Sequence, residues 1–174
     1  LKNDYLYAIA YLDDSVRKEV EKEFIHSEFE VDHIHEVPML ENWRDLPNLE
    51  VKPPDVVCYF IRPKPAAVKQ FLVAGNLNES DFTDKKAMWD EMIFQNTHKL
   101  NVEYYAKEQR ADAFVLSHGQ NMIILKIVGY AEDVIRYYRL DDVTAHVWIG
   151  HHRYPTRGRV THPGGAHPFG QGID

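Results

Sequence analysis

Apolar and polar positions alternate in short stretches along this chain, interrupted by longer helical spacings. Residues 5–12 are aromatic-rich and alternate with period two, which predicts a strand. Asp13, Asp14 and Ser15 then offer N-caps to a helix running to about residue 26, with Val16, Val20 and Phe24 facing inward. Residues 28–37 predict a second strand, on which Phe29, Val31, His33 and His35 share a face. A polar loop over 38–54, bounded by prolines and holding Trp43, leads to the apolar run 56–61, a buried strand. Pro65 suits the first position of a helix that reaches about residue 74. After Gly75-Asn76 the pattern turns helical again from Ser80 towards Gln109, with an interruption expected near Asn96. Met88, Met92, Phe94, Leu100, Val102 and Tyr105 read as its core positions. Residues 113–117 and 122–128 are two β-branched runs separated by His118-Gly119-Gln120-Asn121, which predicts a hairpin. A short helix over 131–138 and a strand over 144–150 follow.

The pattern predicts an α+β protein in which 113–117, 122–128 and 144–150 are neighbouring strands of one antiparallel sheet. The βαββα order of residues 1–75 suggests a small ferredoxin-like subdomain inserted in the main fold. At 174 residues, 44% hydrophobic and 12% aromatic, the chain has ample material for a folded core. A net charge of -7 argues against a nucleic-acid or anionic-membrane surface, although Arg153, Arg157 and Arg159 gather positive charge locally. Cys58 is the single cysteine, so no internal disulfide forms, and these residues include no membrane-length apolar run; both place the chain in a reducing cytoplasm. Cys58 sits mid-strand, where burial keeps a thiol inert.

The chemistry concentrates where the 144–150 strand ends, in His151-His152-Arg153-Tyr154-Pro155-Thr156-Arg157-Gly158 and its sequel Ala166-His167-Pro168-Phe169. A guanidinium at the end of a buried strand presents a rigid fork that fits a carboxylate bidentately, and Thr156 can add a hydroxyl to the same ligand. Five of the ten histidines lie between His146 and His167. Neighbours such as His151 and His152 point to opposite faces of an extended chain, so they do not share one metal ion, and no metal site is expected. The glycines between 158 and 172 match neither phosphate-loop nor dinucleotide spacing.

His-x-Arg-Tyr-x-Thr followed by Ala-His-Pro-Phe resembles the glutamine-binding loop of class II (N-terminal nucleophile) glutamine amidotransferases. The length before the motif resembles the glutamate synthase type in particular, in its archaeal-style amidotransferase subunit or domain. So does the run from Phe114 to Met122 leading to Lys126-Ile127-Val128-Gly129. The resemblance implies an N-terminal-nucleophile-type antiparallel sheet sandwich with helices. It implies Arg153 on the α-carboxylate of glutamine, Thr156 in the same pocket, and His152, Tyr154 and His167 packed around them. It also implies glutaminase chemistry, with ammonia passed to a glutamate synthase-type partner whose FMN and iron-sulfur clusters lie on other domains or subunits. The family's nucleophile is a cysteine at the mature N-terminus, and this sequence starts Leu1-Lys2-Asn3. The family's Asn-Gly oxyanion pair, which follows the Ala-His-Pro segment, is likewise not among these residues. The expectation is therefore a fragment. Residues 76–174 belong to the amidotransferase domain, both ends of the active site lie elsewhere, and no catalytic residue is in this chain. A non-catalytic docking subunit of a larger redox complex, or an amidotransferase serving another acceptor, is the competing reading.

Overall fold

Tyr5–Tyr11 forms β1, a central strand of a four-stranded antiparallel sheet. The computed structural model describes residues 4–152, 162 and 163. β1 pairs with β3 (Asp55–Pro63) on one side and β4 (Ala113–Gly119) on the other, and β2 (Phe29–Glu36) adds outside β3. The neighbours run β2-β3-β1-β4, so the sheet joins residues on both sides of position 75, where a subdomain boundary was expected. Helical segments link β1 to β2 and β3 to β4, which gives the β-α-β-β-α-β connectivity of a split βαβ arrangement. The protein is thus a mixed α/β protein with antiparallel strands.

Caps and breakers act where the sequence puts them. Asp13 accepts from the Ser15 amide at 2.8 Å and starts a 3-10 turn that runs into α1 (Arg17–Val20) and a π turn, Glu21–Ile25. Pro65 opens α2 (Pro65–Gly75), and Asn76, in the left-handed conformation at φ 51°, closes it. Asp84 accepts from the Ala87 amide at 2.8 Å to begin α3 (Lys85–Asn101), which passes unbroken through Asn96; the change of geometry comes at the π turn Val102–Ala106. Met88, Met92 and Leu100 are buried as expected, whereas Phe94 and Val102 are exposed and Tyr105 packs towards the opposite face of the sheet.

Both faces of the sheet are covered. On one, Tyr5, Tyr7, Ile9, Tyr11, Val57, Tyr59 and Ile61 meet Val20 and Ile25 beside α1 and Ile93, Leu100 and Tyr104 from α3 and its extension. On the other, Ala8, Ala10, Cys58, Phe114 and Leu116 meet Leu46 and Leu49 from the long loop, Ile127, and Tyr137 and Tyr138 at the end of α4 (Ala131–Tyr137). Alanines in β1 leave room for the large side chains that the loop and α4 lay on this face.

Three expectations are corrected here. Residues 122–128 form no strand: Ile124, Lys126 and Ile127 are buried and the segment crosses the second face of the sheet, its Ile124 amide donating to Ser117 Oγ at 3.2 Å. The apolar run is satisfied by packing onto a sheet face, not by pairing at its edge. Residues 144–150 are not a strand either; they are exposed and outside any ladder, so only 113–117 of the three predicted neighbours joins this sheet. Finally, β2 shifts register between Val31, opposite Ile61, and His33, opposite Phe60. The extra residue reverses which way later side chains point, so Phe29 and Val31 face α1 and α3 while His33 and His35 face the other way, His33 with its ring 5.6 Å from that of Phe60.

Candidate functional site

Of the residues expected around the clamp, His152 lies within the described chain, and Arg153, Tyr154, Thr156 and His167 lie outside it. His152 is exposed, its ring centroid 5.9 Å from that of Tyr130. Tyr130 is held in turn: its amide donates to Asp133 Oδ2 at 2.8 Å, a reciprocal cap at the start of α4. Just before it, a Cβ on Gly129 would meet Leu49 Cδ2 at 2.5 Å, so only glycine lets the chain pass this close to the long loop. The other flank of the motif is fixed independently. His162 Nδ1 lies 3.0 Å from Tyr105 OH, the two rings are 4.9 Å apart edge-on, and Pro163 is buried.

Lys126 is one of the buried charged side chains that precede this region, Asp133 being another. Burial lowers the pKa of Lys126 to about 8, because it strips hydration from the ammonium. A lysine in that range is partly neutral at mildly alkaline pH.

A second polar constellation, absent from the sequence reading, sits between β1, β4 and α3. The register of β4 against β1 shifts after Val115, and the extra residue turns His118 from the face of Phe114 to the face beneath α3. There His118 is fully buried, its Nδ1 3.7 Å from Asp90 Oδ1 and its ring edge-on to Tyr7. Tyr7 OH donates to Asn96 Oδ1 at 2.9 Å and accepts from Thr97 Oγ1 at 3.1 Å, while Asn96 Nδ2 donates to the Phe24 carbonyl at 2.9 Å. Alternation alone puts His118 on the wrong face, because a bulge has no reliable signature in a single apolar run. The group ties three elements together and has no opening to solvent at His118.

Cys58 is buried between Ala8 of β1 and His35 of β2, and burial pushes its thiol up to about 12. Among the described residues no group of three His, Cys, Asp or Glu side chains is placed to hold a metal ion, and no helix is long and apolar enough to cross a membrane. A shallow, open depression beside α4 is lined by Leu40, Ile135, Arg136, Arg139, Asp141 and Asp142.

The described residues define a mixed α/β protein built on a four-stranded antiparallel sheet. An uncharacterized protein of Archaeoglobus fulgidus is similar to it, 28% identical over 171 residues that cover 97% of this chain and 38% of that protein. This chain therefore spans well under half the length of that relative. No family model matches the chain, and no solved structure matches it.

Proposed function

We propose that this chain is part of a class II glutamine amidotransferase of the glutamate synthase type, in which Arg153 and Thr156 hold glutamine for hydrolysis to glutamate and ammonia. The observation that carries the reading is the motif itself, His152-Arg153-Tyr154-Pro155-Thr156 with Ala166-His167-Pro168-Phe169. Two described residues beside it support the reading: the exposed His152 stands against Tyr130 at the start of α4, and His162, between the two halves of the motif, bonds to Tyr105. On this reading residues of 76–174 contribute to an N-terminal-nucleophile sandwich that the rest of the parent chain completes, and the ferredoxin-like subdomain expected over 1–75 takes its fourth strand, β4, from beyond that boundary. The nucleophilic cysteine belongs to the parent's mature N-terminus, because Cys58 is buried and carries no α-amine to serve as its base. Its thiolate attacks the side-chain amide, and backbone and Asn donors stabilise the tetrahedral oxyanion. Ammonia passes to a glutamate synthase-type partner that carries the FMN and iron-sulfur clusters, in the cytoplasm.

The test is a pair of rates on the full-length complex, one with glutamine and one with free ammonium. A desolvated ligand carboxylate that loses its partner typically costs about 2 to 5 kcal/mol. Arg153→Lys keeps the charge and loses the fork, so it should raise KM for glutamine markedly, with Thr156→Val milder and ammonium-dependent synthesis intact. Near-normal glutamine use by Arg153→Lys would refute the clamp, and equal loss of both rates would make Arg153 structural.

A further inference from the structure

Tyr105 reads from the sequence as a core position of the helix that begins near Ser80, and the structure turns it elsewhere. That helix leaves α geometry at the π turn Val102–Ala106, where two neighbouring tyrosines part: Tyr104 is fully buried in the first-face layer, while Tyr105 packs against the second. Such turns recur at functional positions, because one extra residue re-aims the side chains around it. The backbone here is held as well. The Tyr105 carbonyl accepts from the Ala111 amide at 3.3 Å, and the Tyr104 carbonyl from the Asp112 amide at 2.8 Å. On this base the Tyr105 ring stands edge-on to Phe114 of β4, 5.3 Å between centroids. His162 completes a triangle of rings, 4.9 Å from Tyr105 and 6.2 Å from Phe114, with its Nδ1 3.0 Å from the Tyr105 hydroxyl. Pro163 beside it is buried.

Two aromatic rings from separate elements would seat any apolar side chain. The hydroxyl adds direction: a bond at Nδ1 fixes the orientation of the imidazole as well as its depth. Position in the chain gives that fixed point its meaning. Thr156 lies six residues before His162, Arg153 nine before and Ala166 four after, so both halves of the motif are tethered close to it. A ligand clamp carried on a loop binds weakly when the loop must be ordered at each binding event, and an anchor within the loop removes part of that cost. We propose that Tyr105 is a positioning residue for glutamine: through its bond to His162, with Phe114 as the seat, it holds the segment that carries Arg153 and Thr156. The proposal rests on the glutamine reading above and adds that a residue of the π turn, outside the motif, sets substrate affinity.

Steady-state rates on the full-length complex, with glutamine and with free ammonium, decide it for Tyr105→Phe, His162→Leu and the double variant. Tyr105→Phe keeps the ring and removes the bond, so KM for glutamine should rise on the order of 3- to 10-fold, with kcat and the ammonium rate held within about twofold. The double variant should exceed the KM of His162→Leu by no more than about twofold, because both changes break one bond. An unchanged KM in Tyr105→Phe, beside a raised one in Arg153→Lys, would overturn the inference and leave the clamp standing. Equal loss of both rates in Tyr105→Phe would make the residue structural and overturn it, as would full additivity of the two changes in KM, which would mean that they act separately. A wild-type complex that uses ammonium but not glutamine would remove the glutamine reading itself, and this inference with it.

Discussion

Cys58 shows how one position in a strand settles a residue's chemistry. Its side chain points to the second face, where Leu46, Tyr137 and Tyr138 leave it no water, and a thiolate there would be a bare charge. At neutral pH the native protein should therefore resist a thiol reagent such as a disulfide chromophore, and react fully once unfolded. Fast labelling of native protein at a rate unchanged by denaturant would contradict the buried position. Cys58→Ser should cost about 1 to 3 kcal/mol, since a hydroxyl needs a hydrogen bond that this apolar cluster does not provide, and should leave the glutamine turnover proposed for the parent protein within a few fold. His33 and His35 make the opposite point. A single extra residue in β2 moves both to the other face, and no property of histidine itself would have shown it.

At the level of elements, α3 is fastened to β1 by polar contacts embedded in an apolar layer. Tyr7, Asn96 and Thr97 satisfy one another, and Asn96 also caps a carbonyl in the turn after α1, so three elements share one network. Tyr7→Phe and Asn96→Ala should each destabilise by about 1 to 3 kcal/mol, because each leaves a buried partner unsatisfied. The double variant should fall short of the sum by at least about 0.5 kcal/mol, because the second change removes a group already orphaned. Strict additivity in denaturant melts would show that the contacts act separately. A second chain links Tyr11, which donates to Tyr59, Tyr59, which donates to Glu21, and Arg17, which pairs with both Glu21 and Glu36. It pins the short helix after β1 to the edge strand β2, where that helix buries few apolar side chains of its own.

For the molecule as a whole, buried tyrosines set the alkaline limit of stability. Tyr7, Tyr11, Tyr59, Tyr137 and Tyr138 all have hydroxyls held above their ordinary pKa, chiefly by burial. Their folded pKa values are raised, so they bind protons more tightly folded than unfolded. Their contribution is complete below the ordinary value near 10 and is lost as pH rises beyond it. Each tyrosine kept neutral costs up to about 1.4 kcal/mol per pH unit above that point. Unfolding free energy should thus drop steeply above pH 10, with phenolate absorbance rising together with loss of circular dichroism. Smooth phenolate titration in protein that keeps its native circular dichroism would contradict this packing.

Much of the fold was legible because its signals are local. Alternation marked β1 and β2, continuous apolar runs marked β3 and β4, and Pro65 and Asp13 marked helix starts and Asn76 a helix end through the backbone geometry or hydrogen bond that each residue favours. The motif around Arg153 rests on the sequence alone, since Arg153, Tyr154, Thr156 and His167 lie outside the described residues. What tertiary structure decided was how apolar runs are used. Residues 122–128 and 144–150 carry the composition of strands, yet the first packs across a sheet face and the second has no ladder among the described residues. A run of β-branched residues states that it must be covered. Whether an edge strand, a sheet face or another part of the polypeptide covers it depends on which surface folding brings alongside. The same holds for the bulges in β2 and β4: one extra residue costs little locally, and its place follows from which side chains the two layers need, among them His118 beneath α3.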